Sequence, residues 1–184
     1  RRLGRGGPLG GVHWGLAARD GVVFVPISDY LNPIPGLKAP QPEDPTLPKM
    51  PGLYALEAAT GELRWATAVR PTCADSAACY PGLSAAVTAL SDLVLAATLD
   101  GRLQAYDIAT GKLRWESATA REFQAVDGRS AQGGAIDAGG AIVAGHQVIL
   151  NSGYGLFSQA PGNVLLVYGA TDRSPSGHDS GNPE

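Results

Sequence analysis

Short apolar stretches separated by turn residues run through most of the chain, and one of these stretches occurs twice. Leu53–Trp65 reads LYALEAATGELRW, and fifty residues later Leu103–Trp115 reads LQAYDIATGKLRW, with eight identities in thirteen positions. A repeat of roughly 40–50 residues made of short strands is typical of propeller blades, whereas helical repeats of that length show a 3.6-residue period. The alternative is two unrelated hairpins with similar turns, and this many identities argue against it.

Each copy of the repeat predicts a strand, a tight turn and a second strand. The first strand is apolar at both alternating positions, as expected for a strand covered on both faces. An acid follows (Glu57, Asp107), whose side chain can accept N–H bonds across the turn. Thr-Gly comes next, where glycine supplies the positive φ that closes a hairpin. Trp65 and Trp115 end the second strand, and each suits packing against the neighbouring unit.

The same pattern predicts three four-stranded units. The first has strands at Gly11–Ala17, Val22–Ser28, Leu53–Glu57 and Leu63–Val69. The second has strands at Ala85–Leu90, Leu93–Thr98, Leu103–Asp107 and Leu113–Ser117. The third has strands at Ala135–Asp137, Ala141–Ala144, Val148–Ser152 and Val164–Tyr168, after a connection at Arg121–Arg129. Residues 31–51 hold seven prolines, which predict an irregular excursion within the first unit.

The predicted fold class is therefore all-β: a partial β-propeller of about three blades. We expect residues 1–10 to be the end of a preceding blade, residues 11–170 to belong to one propeller domain, and the polar residues 171–184 to form a disordered tail. Three blades cannot close a ring. The functional unit is thus expected to need further N-terminal blades, and a chain that begins without Met fits that expectation.

Composition excludes several function classes. The chain has 184 residues and a net charge of −3, so no basic excess predicts binding to nucleic acid or anionic lipid. No apolar run is long enough to span a membrane, and Arg1-Arg2 precedes no signal-like segment.

The two cysteines, Cys73 and Cys79, lie six positions apart in a predicted loop. A local disulfide suits an exported protein, and two free thiols are the alternative. A metal site at this loop is disfavoured, because no histidine lies close in sequence.

The acid-x-x-Thr-Gly-x-x-x-Trp phrase resembles the tryptophan-docking repeat of pyrroloquinoline quinone (PQQ) propellers, which non-enzymatic propellers of the outer-membrane assembly type also carry. Longer phrases are more specific and are similar to the polyvinyl-alcohol dehydrogenase branch of the quinoprotein dehydrogenases. These phrases are Gly10–Gly15 (GGVHWG), the Asn32-Pro33 loop, Pro81–Ala89 (PGLSAAVTA), Asn151–Gly155 (NSGYG) and Gly162–Gly169 (GNVLLVYG). The last phrase is similar to the C-terminus of that family, which implies that residues 11–170 are the C-terminal blades of its propeller.

The resemblance implies an eight-bladed periplasmic or secreted propeller that holds PQQ and Ca²⁺ on its axis. It implies oxidation of an alcohol, such as polyvinyl alcohol or another secondary alcohol, with electrons passed to a cytochrome c. A haem c domain elsewhere in the parent chain is compatible with this family. The 184 residues alone are expected to be inactive. The alternative function is a non-catalytic propeller that acts as a protein-binding scaffold in the bacterial envelope.

Several site residues follow from the resemblance. In the Gly-Gly-x-x-Trp-Gly phrase Trp14 corresponds to the ring that lies against PQQ, and its alternative is a core tryptophan. A Ca²⁺ ligand corresponds by strand register to Asp29 and by motif to Asn32; Asp29 is equally interpreted as a turn residue. Asp75 lies in the loop of the catalytic base, where an exposed loop acid is the alternative.

One family residue has no counterpart in this chain. Relatives place an Arg near the quinone where Leu99 stands here. Arg129 and the Gly133-Gly134 pair are weaker candidates for contacts to the cofactor, since paired glycines allow a planar ligand to approach the backbone but also occur in ordinary tight turns.

Overall fold

Every regular element in the described part of the chain is a β-strand, which confirms the all-β prediction. The computed structural model describes residues 1–6, 10–29, 46–72, 81–155 and 159–169. In those residues no helix is long and apolar enough to cross a bilayer.

The strands form three antiparallel blades and one separate hairpin. The first blade contains β1 (Ala17–Arg19), β2 (Val22–Ile27), β3 (Gly52–Glu57) and β4 (Leu63–Ala68). The second contains β5 (Thr88–Ala89), β6 (Leu93–Thr98), β7 (Arg102–Asp107) and β8 (Leu113–Ala118). The hairpin pairs β9 (Glu122–Gln124) with β10 (Ser130–Gln132). The third blade contains β11 (Ile142–Ala144), β12 (Gln147–Ser152) and β13 (Val164–Gly169). In each blade neighbouring strands follow one another in sequence.

The repeat residues act at the turns as predicted, with one difference. Gly61 and Gly111 have φ of 70° and 69°. The Asp107 carboxylate accepts N–H bonds from Ala109 and Thr110, at 3.2 and 2.9 Å. Glu57, whose side chain is one methylene longer, instead accepts a hydrogen bond from Arg64.

Adjacent blades pack face to face through the repeated tryptophan. The Trp65 indole N–H donates to the carbonyl of Ile108 at 3.1 Å, and the ring covers Gly111, where a Cβ atom would overlap it. Between the first and second blades lies a buried cluster, whose members include Phe24, Leu53, Ala55, Leu83, Val94 and Tyr106. Between the second and third lies another, whose members include Ala85, Leu95, Leu103, Ala105, Ile136 and Leu150. This stacking is that of a partial propeller.

The boundaries differ from the predicted ones at the inner strands. β1 and β5 have three and two residues, because the residues before them bond to other strands and blades; Trp14, for example, donates to the Ser84 carbonyl. The predicted strand Ala135–Asp137 is not a strand. It is an extended segment whose Ile136 N–H donates to the Thr98 carbonyl of the second blade.

The hairpin β9–β10 lies where the sequence predicts only a connection, at Arg121–Arg129 and the residues just after it. Its strands, EFQ and SAQ, have three residues each, with a single half-buried apolar residue between two exposed polar ones, which is too short a pattern to predict a strand.

Both ends of the stack expose apolar side chains. Val12 and Leu16 are exposed on the first blade, and Ile142, Leu165 and Val167 on the third. In a ring of blades each such face packs against a neighbour. Three blades leave these two faces uncovered.

Candidate functional site

Trp14 lies at the inner end of the first blade, in the segment that precedes β1. The backbone N–H of Trp14 donates to the Ser84 carbonyl at 3.3 Å, and this bond joins the segment to the inner segment of the second blade. Gly15 lies against Ala86, where a Cβ atom would be crowded at 3.2 Å. Trp14 is 44% exposed, so its ring is not part of the core between the described blades. An exposed indole at the inner edge offers a flat apolar face to a planar ligand.

His13 fixes the surroundings of this indole. Its ring lies 4.8 Å from the Trp14 ring, tilted by 38°, and its Nδ1 is 2.7 Å from the buried Ser84 hydroxyl. Strict strand alternation would place the two rings on opposite faces. The segment is not a regular strand, so the rings lie side by side.

Asp29 follows β2 and is fully buried, with φ of 50°. Its Oδ1 accepts from Arg5 Nε at 2.8 Å, and its Oδ2 accepts from the Met50 N–H at 2.5 Å. A buried carboxylate needs such compensation, because removing an ion from water costs several kcal/mol. Asp29 therefore has a structural role in the described chain.

The Asp29 charge also acts on its surroundings. Burial, together with the nearby Asp29 carboxylate, raises the pKa of Tyr54, whose hydroxyl donates to the Met50 carbonyl at 3.0 Å. As a ligand for Ca²⁺, Asp29 fits poorly in this arrangement, since a guanidinium occupies one oxygen and a backbone N–H the other. Among the residues with described positions, no group of three or more His, Cys, Asp or Glu side chains could hold a metal ion.

Arg129 and the glycine pair lie between the second and third blades. Arg129 is on the exposed turn of the β9–β10 hairpin, where its guanidinium pairs with Asp127 at 2.6 Å and lowers the pKa of that carboxyl. Cβ atoms on Gly133 and Gly134 would overlap the carbonyl groups of Thr119 and Ala160. Close packing of the chain against itself is thus sufficient to explain both glycines. No contact joins these three residues to Trp14 or Asp29 in the described ranges.

The other predicted site residues, Asn32, Cys73, Asp75 and Cys79, lie outside the described residues. Their roles stay predictions.

Comparison with known proteins identifies the family. A family model described as outer membrane protein assembly factor BamB (PQQ_2) matches residues 8–177, nearly the whole chain. The chain belongs to the PQQ_2 family. Its blades are 35% identical over 179 residues to a polyvinylalcohol dehydrogenase of Pseudomonas sp., and 34% identical over 181 residues to one of Sphingopyxis sp. (strain 113P3). Each match covers 91% of this chain, which spans 26% of the length of either relative.

A solved structure supports the same fold. The quinohemoprotein alcohol dehydrogenase ADHIIG from Pseudomonas putida HK5 superposes with a TM-score of 0.51 at 16% identity. The superposition covers 77% of this chain and 21% of that protein. At this identity the likeness shows the propeller fold alone.

One polar cluster in this PQQ_2 chain was missed at the sequence level. Arg102, Gln104 and Tyr106 occupy alternate positions of β7, all on one face and all buried. The sequence did contain a sign of this cluster. Every second residue of β7 ends in a polar group, whereas the residues between them are apolar. They line a cleft between β4 and the β7–β8 pair.

Proposed function

We propose that this chain forms the C-terminal blades of a PQQ-dependent alcohol dehydrogenase that acts on polyvinyl alcohol or another secondary alcohol. The observation that carries the proposal is 35% identity to a polyvinylalcohol dehydrogenase over 91% of the chain. Trp14 supports it through the Gly10–Gly15 phrase that resembles the quinoprotein dehydrogenases, because a scaffold of docking repeats gives no reason for that phrase.

PQQ, when bound, accepts the two electrons that the alcohol loses. The residues of this chain would supply binding and orientation. Trp14 would lie against the flat quinone, and His13, held by Ser84, would limit how far the indole can turn. Asp75 would take the hydroxyl proton as general base.

The metal part of the proposal is Ca²⁺ at Asp29 or Asn32. Asp29 as described neutralises Arg5, and a cation beside it would require that guanidinium to leave. Asn32 lies outside the described residues, so its role rests on the sequence motif alone. We assign no reaction step to the metal. Arg129, Gly133 and Gly134 remain candidates for binding the cofactor on the basis of the sequence alone.

The electron acceptor is proposed to be a cytochrome c, with a haem c domain possible elsewhere in the parent chain. The compartment is proposed to be the periplasm, where Cys73 and Cys79 could form a disulfide. Because this chain spans 26% of its relatives' length, it is expected to be inactive without the other blades.

The second candidate is a protein-binding scaffold in the bacterial envelope. The description of the matching family model, an outer membrane protein assembly factor, favours it. A scaffold needs the docking repeats and their turns but binds no quinone.

Reconstitution of activity separates the two candidates. The full-length protein is purified without cofactor, PQQ is added with and without Ca²⁺, and dye reduction by polyvinyl alcohol and by pentane-2,4-diol is followed. The dehydrogenase proposal expects turnover that requires PQQ. Absence of PQQ-dependent turnover at every Ca²⁺ concentration would contradict it and favour the scaffold.

A further inference from the structure

A chain of hydrogen bonds on β7 holds one carboxylate at the mouth of a cleft. The Tyr106 hydroxyl donates to Gln104 Oε1 at 2.7 Å, and Gln104 Nε2 donates to Glu116 Oε2 at 2.6 Å. Arg102 Nη1 donates to the same oxygen at 3.3 Å. Burial raises the pKa of Tyr106 to about 12, so its hydroxyl keeps its proton and its direction. Glu116 is thereby fixed by two donors on one oxygen.

The other oxygen of Glu116, Oε1, has no protein partner among the described residues, and the side chain is 33% exposed. Arg102 is itself held in place, because Asp100 pairs with its Nη2 at 2.9 Å. Its guanidinium also donates to the Arg70 carbonyl, which anchors the end of the first blade's outer strand. Glu116 Oε1 is therefore a hydrogen-bond acceptor in a fixed position, because Gln104 and Arg102 hold the other oxygen of the same carboxylate.

The first blade shows that the two strands can pair without these residues. By register Gly52, Tyr54 and Ala66 stand where the second blade has Arg102, Gln104 and Glu116. In the first blade Tyr54 packs in an apolar cluster with Val25 and Ile27. The same strand geometry is therefore stable without the polar chain, and the second blade carries it in addition.

The cleft has a volume of about 660 Å³, within the range of ligand pockets. Besides Glu116, its lining includes the cations Arg70 and Lys112, which can donate, and three threonines. The threonine hydroxyls donate within the chain, Thr67 to Gly111, Thr72 to Asp100 and Thr110 to Asp107, so they offer a ligand their lone pairs as acceptors. Tyr106, buried in the wall, is its one aromatic lining residue within the described ranges, so ring stacking is not its mode of binding. A carboxylate among the cations disfavours a polyanion. Interleaved donors and acceptors suit a neutral chain of hydroxyl groups.

From this geometry we infer that the cleft between β4 and β7–β8 is a second binding site for a polymer of secondary alcohols, with Glu116 accepting hydrogen bonds from its hydroxyl groups. The inference rests on the proposed function and identifies its substrate as a polymer. A second contact raises the effective concentration of a long substrate at the reaction site, but a short alcohol cannot reach both sites. Thr72, one of the residues that line the cleft, precedes Asp75 by three positions in the sequence.

The test compares long and short substrates in the full-length, PQQ-loaded protein. Glu116→Ala gives the second blade the residue that the first already has at Ala66, so the fold is expected to be kept. We expect KM for polyvinyl alcohol to rise roughly fivefold or more, the loss of one or more hydrogen bonds to a charged group. The KM for pentane-2,4-diol and both kcat values should stay unchanged. Glu62→Ala, at an exposed carboxylate on the first blade's turn, is the matched control.

Binding measured without turnover separates this inference from the proposed function. Retention of the cofactor-free protein on immobilised polyvinyl alcohol should fall in Glu116→Ala and not in Glu62→Ala. If the wild type shows no PQQ-dependent turnover but this difference in retention is seen, the proposed function fails and the binding site stands. Equal changes for polymer and diol, or no change in either KM or retention, would overturn the inference.

Discussion

Strands β3 and β7 occupy the same place in the first and second blades, yet the faces that they turn away from the following blade have opposite character. β3 presents Gly52, Tyr54 and Leu56, while β7 presents Arg102, Gln104 and Tyr106. Their other faces are alike, because Leu53 and Ala55 pack toward the second blade as Leu103 and Ala105 pack toward the third.

The difference shows which positions hold the blades together and which are free to vary. The residues shared by the two repeats form the turn, the docking tryptophan and one packing face. On the remaining face of β7, Arg102 has a structural role through its pair with Asp100, while the chain of hydrogen bonds from Tyr106 to Glu116 has no counterpart in the first blade. We attribute it to binding.

Removing the buried Arg102–Asp100 ion pair of the second blade should lower the free energy of unfolding far more than removing an ion pair of the first blade. Arg102→Met would leave Asp100 as a buried charge without its guanidinium and should destabilise the protein by about 3–5 kcal/mol. Arg64→Met, which removes the exposed Glu57–Arg64 pair of the first blade, should cost no more than about 1 kcal/mol. Urea unfolding of both variants measures this, and equal costs would contradict the assignment.

The two turn glycines form a matched pair for the docking contact. Gly61→Ala places a side chain at φ of 70°, where its nearest neighbour, Arg1 Cβ, lies at an ordinary contact distance of 3.8 Å, and should cost about 1 kcal/mol. Gly111→Ala adds an overlap with the Trp65 ring, and should cost roughly 1–3 kcal/mol more. Thermal unfolding of the two variants compares them. If Gly61→Ala is as costly as Gly111→Ala, the ring does not dock as described.

Alkaline pH should weaken the second blade through Tyr106. Burial raises the folded pKa to about 12 from an unfolded value of 10.0, so this stabilisation is present below pH 10 and is lost as pH rises toward 12. Between about pH 9 and pH 11 the wild type should lose roughly 1 kcal/mol more than Tyr106→Phe. Urea unfolding at the two pH values measures the difference. Identical pH dependence in the variant would show that Tyr106 does not carry it.

Acidic pH should lower the stability of the protein slightly, through the Asp107 carboxylate in the turn of the second repeat. Hydrogen bonds from the Thr110 hydroxyl and then its N–H lower the pKa of Asp107 below 3.8. Its contribution is therefore present above that value and is lost as pH falls through the lower folded pKa. The stability difference between wild type and Asp107→Asn should shrink on going from neutral pH to about pH 3. A difference that grows in acid would contradict this turn geometry.

The repeat allowed much of the fold to be predicted. Leu53–Trp65 and Leu103–Trp115 placed β3, β4, β7 and β8, since both the turn and the docking ring are local features. The hairpin β9–β10 escaped because its strands are short and polar. The inner strands β1 and β5 are shorter than predicted. The residues before them make backbone hydrogen bonds to other strands and blades instead of to their own sheet.

Less of the candidate site could be predicted. The pair of Arg5 with Asp29 joins residues 24 positions apart, and no local pattern indicates that an arginine should occupy a proposed metal ligand. The exposure of Trp14 depends equally on how the inner segments of two blades meet. The resemblance located the candidate residues, but their partners come from tertiary packing.

Direct titration with PQQ tests the central claim, that Trp14 presents its ring to a quinone at the inner edge of a PQQ_2 propeller. Binding to the cofactor-free full-length protein is measured by calorimetry for wild type, Trp14→Ala and Trp115→Ala. The two tryptophans are equally exposed, at 44% and 43%, but Trp115 packs edge-on against Tyr168 in the third blade. We predict roughly tenfold weaker binding in Trp14→Ala, the loss of one ring contact, and unchanged binding in Trp115→Ala. No PQQ binding by the wild type, or equal losses in both variants, would contradict the account.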